Sequence, residues 1–157
     1  MSHIAQLNIA RPRFELDDPR IAEFMNGLDR VNAIAERSAG FVWRLTGDGN
    51  NATDLRIPDE PSAILNMSVW QSVGALRDFV FATIHKRFLM RKAEWFQTVG
   101  AVDFVMWPVP EGHRPDVPEA LARLSLLRAS GPSDQAFGWA FAKRMGWLSD
   151  PALADVP

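Results

Sequence analysis

The 157-residue chain contains no cysteine and no tyrosine. The absence of cysteine excludes disulfide bonds, thiolate metal sites and cysteine nucleophiles. The absence of tyrosine excludes any mechanism that needs a phenol as its acid. No apolar run approaches the ~20 residues of a membrane span, and residues 1–6 have neither the basic nor the apolar region of a signal peptide. We therefore expect a cytoplasmic protein with no membrane partner.

The chain also lacks a strong charge of either sign. Its 17 Lys and Arg against 19 Asp and Glu give a net charge of -2. Since nucleic-acid binding depends on a basic surface, no nucleic-acid partner is expected. With 47% hydrophobic and 23% charged residues, the composition is that of a single globular domain with a substantial core.

Sequence signatures of cofactors and metals are missing as well. The three histidines, His3, His85 and His113, lie too far apart in sequence for a local metal motif. No Gly-x-Gly-x-x-Gly run follows a predicted strand, and no Gly-x-Ser-x-Gly elbow occurs. We therefore expect no metal, no flavin or nicotinamide cofactor, and no serine hydrolase site.

Apolar periodicity and turn residues divide the chain into alternating strands and helices. Apolar positions from Ile21 to Ala35 recur with helical spacing, Asp18 and Pro19 precede them, and Gly40 follows. The second helix begins after Ser72 and is expected to break near Thr83. The predicted strands are 3–11, 41–46, 63–71 and 103–109; the predicted helices are 19–39, 73–98 and 118–130; and 136–142 is predicted as a fifth strand or an extended arm.

This order is the βαββαβ pattern of a ferredoxin-like α+β fold. We expect residues 1–112 to form that domain and residues 113–157 to be an extension packed on it, since the extension is too short for a core of its own. Alternation gives the sheet two faces. The face with Leu7, Ile9, Leu65, Met67 and Val69 is wholly apolar and is expected to pack on the two helices.

The opposite face of the first and third strands is mixed. It carries Gln6, Asn8, Asn66, Ser68 and Trp70. Amides, a hydroxyl and a large aromatic ring suit the wall of a ligand cavity. They equally suit a subunit interface or an ordinary exposed sheet face.

The segments AQLNIAR, LDDPR, GFVWRL, VWQS and HKRFLMRKAEWF resemble the uncharacterised bacterial proteins of domain of unknown function 3291, over roughly residues 5–141. This resemblance implies membership of the dimeric α/β barrel superfamily, alongside antibiotic-biosynthesis monooxygenases. In that superfamily two ferredoxin-like sheets pack face to face, which implies a homodimer and a cover for the mixed face. The resemblance implies no activity. Phe81 stands where members of the family tend to carry tyrosine.

Candidate site residues follow from the mixed face and the aromatic side chains. His85 is the candidate catalytic base, although a helix-start histidine with a local hydrogen bond is an alternative. Because neighbouring strand residues point to opposite faces, Trp43 and Arg44 cannot both line one cavity. The candidate substrate-binding residues are Asn8, Trp43, Arg44, Asn66, Ser68, Trp70, Trp95 and Trp107.

Three functions remain open from the sequence. The first is a cofactor-independent monooxygenase-like enzyme acting on an aromatic or polyketide-like substrate. The second is a non-catalytic binder of a hydrophobic aromatic ligand or haem. The third is a dimeric structural module without a ligand. The first two predict that Asn8, Asn66 and Trp70 approach one cavity, and the enzyme needs His85 there too.

Overall fold

The computed structural model describes residues 2–47, 49, 51–83, 85–98 and 102–148. Four strands and six α-helices are assigned within these ranges. A short 3-10 helix, Pro19–Ile21, leads into the first α-helix. In chain order the elements are β1 (Ser2–Ala10), α1 (Ala22–Arg37), β2 (Phe41–Arg44), β3 (Ile64–Trp70), α2 (Val73–Ala82), α3 (His85–Met90), α4 (Lys92–Trp95), β4 (Phe104–Pro110), α5 (Val117–Ser130) and α6 (Trp139–Arg144).

The four strands form one antiparallel sheet in the order β2-β3-β1-β4. This order, with α1 between β1 and β2 and α2 to α4 between β3 and β4, confirms the ferredoxin-like α+β prediction. Within the described ranges no helix is long and apolar enough to cross a lipid bilayer.

Side-chain caps and glycines set the helix ends. The Asp18 carboxylate accepts from the Arg20 backbone N–H at 2.8 Å, and the Ser72 hydroxyl accepts from the Ala75 N–H at 3.1 Å. Gly40 adopts a positive φ of 84° between α1 and β2, which few other residues tolerate. The predicted break near Thr83 is confirmed, since α2 ends at Ala82 and α3 begins at His85.

The apolar face of the sheet packs on the C-terminal part of the chain. Leu7, Met67 and Trp107 are fully buried there and share a core cluster with Leu124 of α5. The connection between β2 and β3 covers the rest of this face through Ala52, Ile57 and Ala63. Our expectation that α1 and α2 pack on the apolar face is therefore wrong.

The mixed face lies beneath α1 and α2 instead. Trp70 and Met106 of this face cluster with Ala35 of α1 and with Leu76 and Phe79 of α2. The reason is that α1, α2 and α5 must all pack on a sheet that has only two faces. The apolar stripe of α5 covers the wholly apolar face, which leaves the mixed face for the two crossover helices.

The prediction of a fifth strand or an extended arm over 136–142 is also wrong, since Trp139–Arg144 is helical. Phe137 makes only an isolated bridge with Met106, with N···O distances of 2.7 and 2.9 Å. Gly138 then caps the start of α6, so the backbone turns away from the sheet after one residue. Of the predicted extension, residues 149–157 lie outside the described residues.

Charged side chains tie the β2–β3 connection and α5 to the sheet. Arg11 bonds Glu60 of the connection at 2.8 Å and Asp103 at 2.8 Å. Arg128 of α5 bonds the other oxygen of Asp103 at 2.9 Å. Asp103 thus links the end of β1 to α5, where the apolar face is covered.

Candidate functional site

Polar side chains form a continuous patch on the helix-facing side of the sheet. We call Gln6, Asn8, Asn66 and Ser68 the polar strip. Gln6 lies directly across from Ser68, and Asn8 directly across from Asn66, on the paired strands β1 and β3. Trp70 follows on the same face, roughly 13 Å along β3 from Asn66.

Hydrogen bonds join the strip to Trp70. The Gln6 Nε2 group donates to Asn66 Oδ1 at 2.7 Å and to Ser68 Oγ at 2.8 Å. The Trp70 indole Nε1 donates to the same Ser68 Oγ at 2.8 Å. Because both lone pairs of this oxygen accept, the hydroxyl proton is free to donate. No acceptor for it, or for the Asn66 Nδ2 group, is present among the described residues.

The strip is buried at one end and open at the other. Gln6 and Ser68 are 5% and 7% exposed, whereas Asn8 and Asn66 are exposed. Phe104 of β4 is half-buried directly across from Asn8. The open end of the strip thus has an aromatic ring beside two exposed amides.

Aromatic rings close the buried end. The Trp70 ring stacks on Phe79 of α2 with centroids 5.2 Å apart, and Phe41 meets it edge-on at 5.4 Å. Trp70 itself has no exposed surface. Its contribution to the strip is the N–H that holds Ser68.

His85 lies at the start of α3, next to the break between α2 and α3. Its ring contacts Phe79, with centroids 5.0 Å apart. Its Nδ1 lies 3.3 Å from the Val80 carbonyl oxygen. Burial lowers the pKa of His85, and the Val80 bond opposes this only in part. The neutral imidazole, donating from Nδ1 to Val80, keeps a lone pair on Nε2, which has no partner among the described residues.

The sequence matches one family model, and the fold is similar to several solved structures. The model for "Domain of unknown function (DUF3291)" matches residues 3–147. The chain belongs to this family. No functionally curated protein matches the sequence.

Among solved structures, a conserved protein from Methanosarcina mazei Go1 shares 13% identity, with a TM-score of 0.50 over 68% of this chain and 92% of that one. SnoaB, a cofactor-independent oxygenase from Streptomyces nogalater, shares 17% identity, with a TM-score of 0.47 over 75% and 99%. Protein SO0527 from Shewanella oneidensis shares 10% identity, with a TM-score of 0.48 over 69% and 89%. At these identities the similarity concerns the fold alone.

In this DUF3291 chain, Arg44 and Trp43 lie on opposite faces, as alternation requires. Arg44 is paired with Ser68 and shares the face of the strip, whereas Trp43 is paired with Val69 and packs on the apolar face. The Arg44 Nε donates to Glu36 of α1 at 3.0 Å. Arg44 therefore joins α1 to the sheet beside Ser68.

The other two candidate tryptophans lie away from the strip. Trp107 is on the apolar face, where its indole N–H donates to Glu119 of α5 at 3.0 Å. Trp95 packs among Phe24 and Phe88, with the Arg91 guanidinium 4.7 Å from its ring centre. The structure thus places Asn8, Arg44, Asn66, Ser68 and Trp70 on one face and connects His85 to them through Phe79.

Two buried polar residues were not among the sequence-based site residues. Gln6 was placed on the mixed face but not assigned to the site, although its amide connects Asn66 to Ser68. Asn32 of α1 is 8% exposed and has no hydrogen-bond partner among the described residues. The sequence does indicate that Asn32 is buried, because it falls four residues after Leu28 and three before Ala35, inside the apolar stripe of α1.

Within the ranges that the structure describes, no three His, Asp or Glu side chains are grouped so that they could hold a metal ion. The chemistry that the strip offers is hydrogen-bond donation from neutral amides and a hydroxyl.

Proposed function

We propose that this chain binds a small aromatic or polyketide-like molecule between α1, α2 and the sheet, with the oxygen atoms of the ligand on the polar strip. The observation that carries the proposal is the Ser68 hydroxyl, which is buried, accepts from two fixed N–H groups and retains an unused proton. Such a donor suits a carbonyl, phenolate or enolate oxygen. The Asn66 amide beside it supplies a second donor.

The aromatic class of ligand is favoured by the surroundings of the open end. Phe104 flanks Asn8 and itself stacks on Trp139, with centroids 5.5 Å apart. Rings fixed in this way offer a flat apolar wall at little entropic cost. A planar ligand with oxygen atoms along its edge would satisfy the wall and the donors together.

The more specific part of the proposal is a monooxygenase-like reaction, and the hydrogen bonding of His85 supports it. A neutral imidazole with Nδ1 held by a carbonyl and Nε2 free is suited to act as a general base. His85 would remove a proton from an acidic CH2 group of the bound substrate, and the resulting enolate would react with O2. One oxygen atom would enter the product as a carbonyl, and the other would leave as water.

Binding is tested first, with 1,8-dihydroxyanthraquinone as the probe. Titration by calorimetry should give a saturable isotherm for the unaltered protein. Asn66→Ala should weaken binding about tenfold, the effect of losing roughly one good hydrogen bond. Asn26→Ala removes an exposed amide from α1 and should change nothing. Equal affinity of the two variants would overturn the placement of the ligand.

Catalysis is tested separately with 1,8-dihydroxyanthrone, whose CH2 group is the candidate reaction centre. The enzyme hypothesis predicts enzyme-dependent O2 uptake that His85→Gln abolishes while the affinity for the anthraquinone stays unchanged. Binding without O2 uptake would instead establish the non-catalytic alternative. An intense visible absorption band in the purified protein would identify haem as the ligand.

Self-association belongs to the same proposal. The family resemblance implies a homodimer in which a partner sheet covers the mixed face, but α1 and α2 cover that face here and α5 covers the apolar face. We therefore propose that a homodimer of this chain uses a different surface and leaves the strip on the helix side of each sheet.

A further inference from the structure

A groove lies between α1 and α3, outside the polar strip. Its volume is about 600 Å³, which is large enough for a small organic molecule. The residues that line it include three arginines, a glutamate, a glycine and a phenylalanine: Arg30, Arg87, Arg91, Glu23, Gly27 and Phe88. The groove therefore differs in chemistry from the strip, which offers neutral donors.

An ion pair closes one end of the groove. The Arg91 Nη1 and Nη2 groups donate to the two oxygens of Glu23, at 2.6 and 2.8 Å. Arg91 also donates to both oxygens of Glu94, at 2.7 and 3.0 Å. The charge of Arg91 is therefore compensated, and Glu23 is no longer available to compensate another arginine.

Phe88 lies between the two helices and is fixed in place. A Cβ added to Gly27 would lie 2.4 Å from Phe88 Cζ, so the ring packs directly on the backbone of α1. Phe24 meets the ring edge-on with centroids 6.4 Å apart, and the centroid of Trp95 is 5.8 Å away. Because Phe88 is only half-buried and lines the groove, part of this fixed ring is open to a ligand.

The contacts of α1 with α3 show that the two helices run antiparallel along the groove. The ion pair joins the start of α1 to the end of α3, and the contact of Gly27 with Phe88 lies one turn further along α1. In this direction Arg30 is about 4.5 Å beyond Gly27, and Arg87 directly follows Phe88. Both arginines therefore line the groove at the end away from the ion pair.

Arg30 and Arg87 are exposed and carry uncompensated charge. Neither has an ion pair or a side-chain hydrogen bond within the part of the chain that the structure describes. Two positive charges at one end of a groove repel each other. A bound anion would remove this repulsion, and guanidinium groups match the oxygens of phosphate and carboxylate.

We propose that the groove between α1 and α3 binds a small phosphate monoester of a planar ring, at a site separate from the polar strip. Arg30 and Arg87 bind the phosphate, because its charge of about −2 at neutral pH matches two guanidinium groups better than a single carboxylate does. Phe88 contacts the ring of the ligand. The ion pair of Arg91 with Glu23 closes the other end.

Calorimetry in a phosphate-free buffer tests the site with 1-naphthyl phosphate as the probe. Arg30→Gln and Arg87→Gln should each weaken binding about tenfold, the effect of losing one charge-assisted hydrogen bond. Arg114→Gln removes the same charge from an exposed position before α5 and should change the affinity less than about twofold. All three variants should keep the Tm of the unaltered protein. No binding by the unaltered protein, or equal affinity of Arg87→Gln and Arg114→Gln, would overturn the proposal.

Two simpler probes test the two parts of the ligand. Inorganic phosphate lacks the ring, and 1-naphthol lacks the phosphate. Each should bind at least about tenfold more weakly than 1-naphthyl phosphate. Phosphate that binds as tightly as the ester would overturn the role of Phe88, and naphthol that binds as tightly would overturn the role of the arginines.

Two controls establish where the probe binds and what carries the phosphate. Asn66→Ala should leave the affinity for 1-naphthyl phosphate unchanged, and a loss would place the probe on the polar strip and overturn the groove. Vesicles of phosphatidic acid in phosphatidylcholine should not sediment the protein. Sedimentation that Arg87→Gln abolishes would assign the phosphate to a lipid surface and overturn the small-molecule ligand.

Discussion

Ser68 is the residue that holds the polar strip together, since its hydroxyl accepts from both Gln6 and Trp70. Ser68→Ala would leave two buried N–H groups without an acceptor, at a cost of about 1–3 kcal/mol in the free energy of unfolding. Urea denaturation measures this cost. Ser125→Ala, at an exposed position on α5, should stay within about 0.5 kcal/mol of the unaltered protein. Equal stability of the two variants would contradict the hydrogen-bond network.

A pH dependence follows from His85, whose pKa burial lowers in the folded state. Above pH ~6.5 the imidazole is neutral in both the folded and the unfolded chain, so it causes no loss of stability. Below that value the unfolded chain takes up the proton first, and stability falls until the pH reaches the lower folded pKa. His85→Gln should flatten this part of the stability curve, measured by urea denaturation between pH 7.5 and 5. An unchanged curve would show that His85 titrates normally.

Residue-level predictions from the sequence succeeded where the signal was local. The Asp18 and Ser72 caps, the positive φ of Gly40 and the break near Thr83 each depend on neighbours within a few positions. The connection from Ser68 to Gln6 spans 62 positions and needs the strand register. Alternation could assign both residues to one face, but it could not reveal their shared hydrogen bond.

At the scale of elements, the sequence determined the order of strands and helices but not which layer covers which sheet face. The alternation of side chains along each strand shows only that Leu7 and Met67 share a face of the sheet. Whether α1 or α5 covers that face depends on how the long connections are routed. In the structure, Ala120, Leu124 and Leu127 of α5 pack on the wholly apolar face.

Leu124 and Leu126 provide a matched test of whether α5 covers the apolar face of the sheet. Leu124 is 1% exposed against the sheet, and Leu126 is 39% exposed on the outer side of the same helix. Leu124→Ala should lower the free energy of unfolding by about 2–5 kcal/mol because it leaves a cavity in the core. Leu126→Ala should change it by less than about 0.5 kcal/mol. Chemical denaturation compares the two variants, and a small effect at Leu124 would mean that α5 does not cover the sheet.

At the scale of the whole molecule, α5 covers the apolar face of the sheet. This changes how dimer formation would affect the stability of each subunit. In a barrel of two sheets packed face to face, dissociation exposes an apolar sheet face, so folding and association are linked and Tm rises with protein concentration. Here Leu7, Met67 and Trp107 are fully buried within a single chain.

We therefore expect light scattering at micromolar concentration to give about twice the 17.6 kDa chain mass, and we expect a chain diluted until it is monomeric to keep its native circular dichroism spectrum. Each subunit has a complete core, so the subunits can separate without unfolding, although Tm rises with concentration for any dimer that forms only from folded chains. A monomeric mass at micromolar concentration would contradict the homodimer. Loss of the native spectrum on dissociation would show that the core of one subunit is completed by its partner, as in the face-to-face barrel.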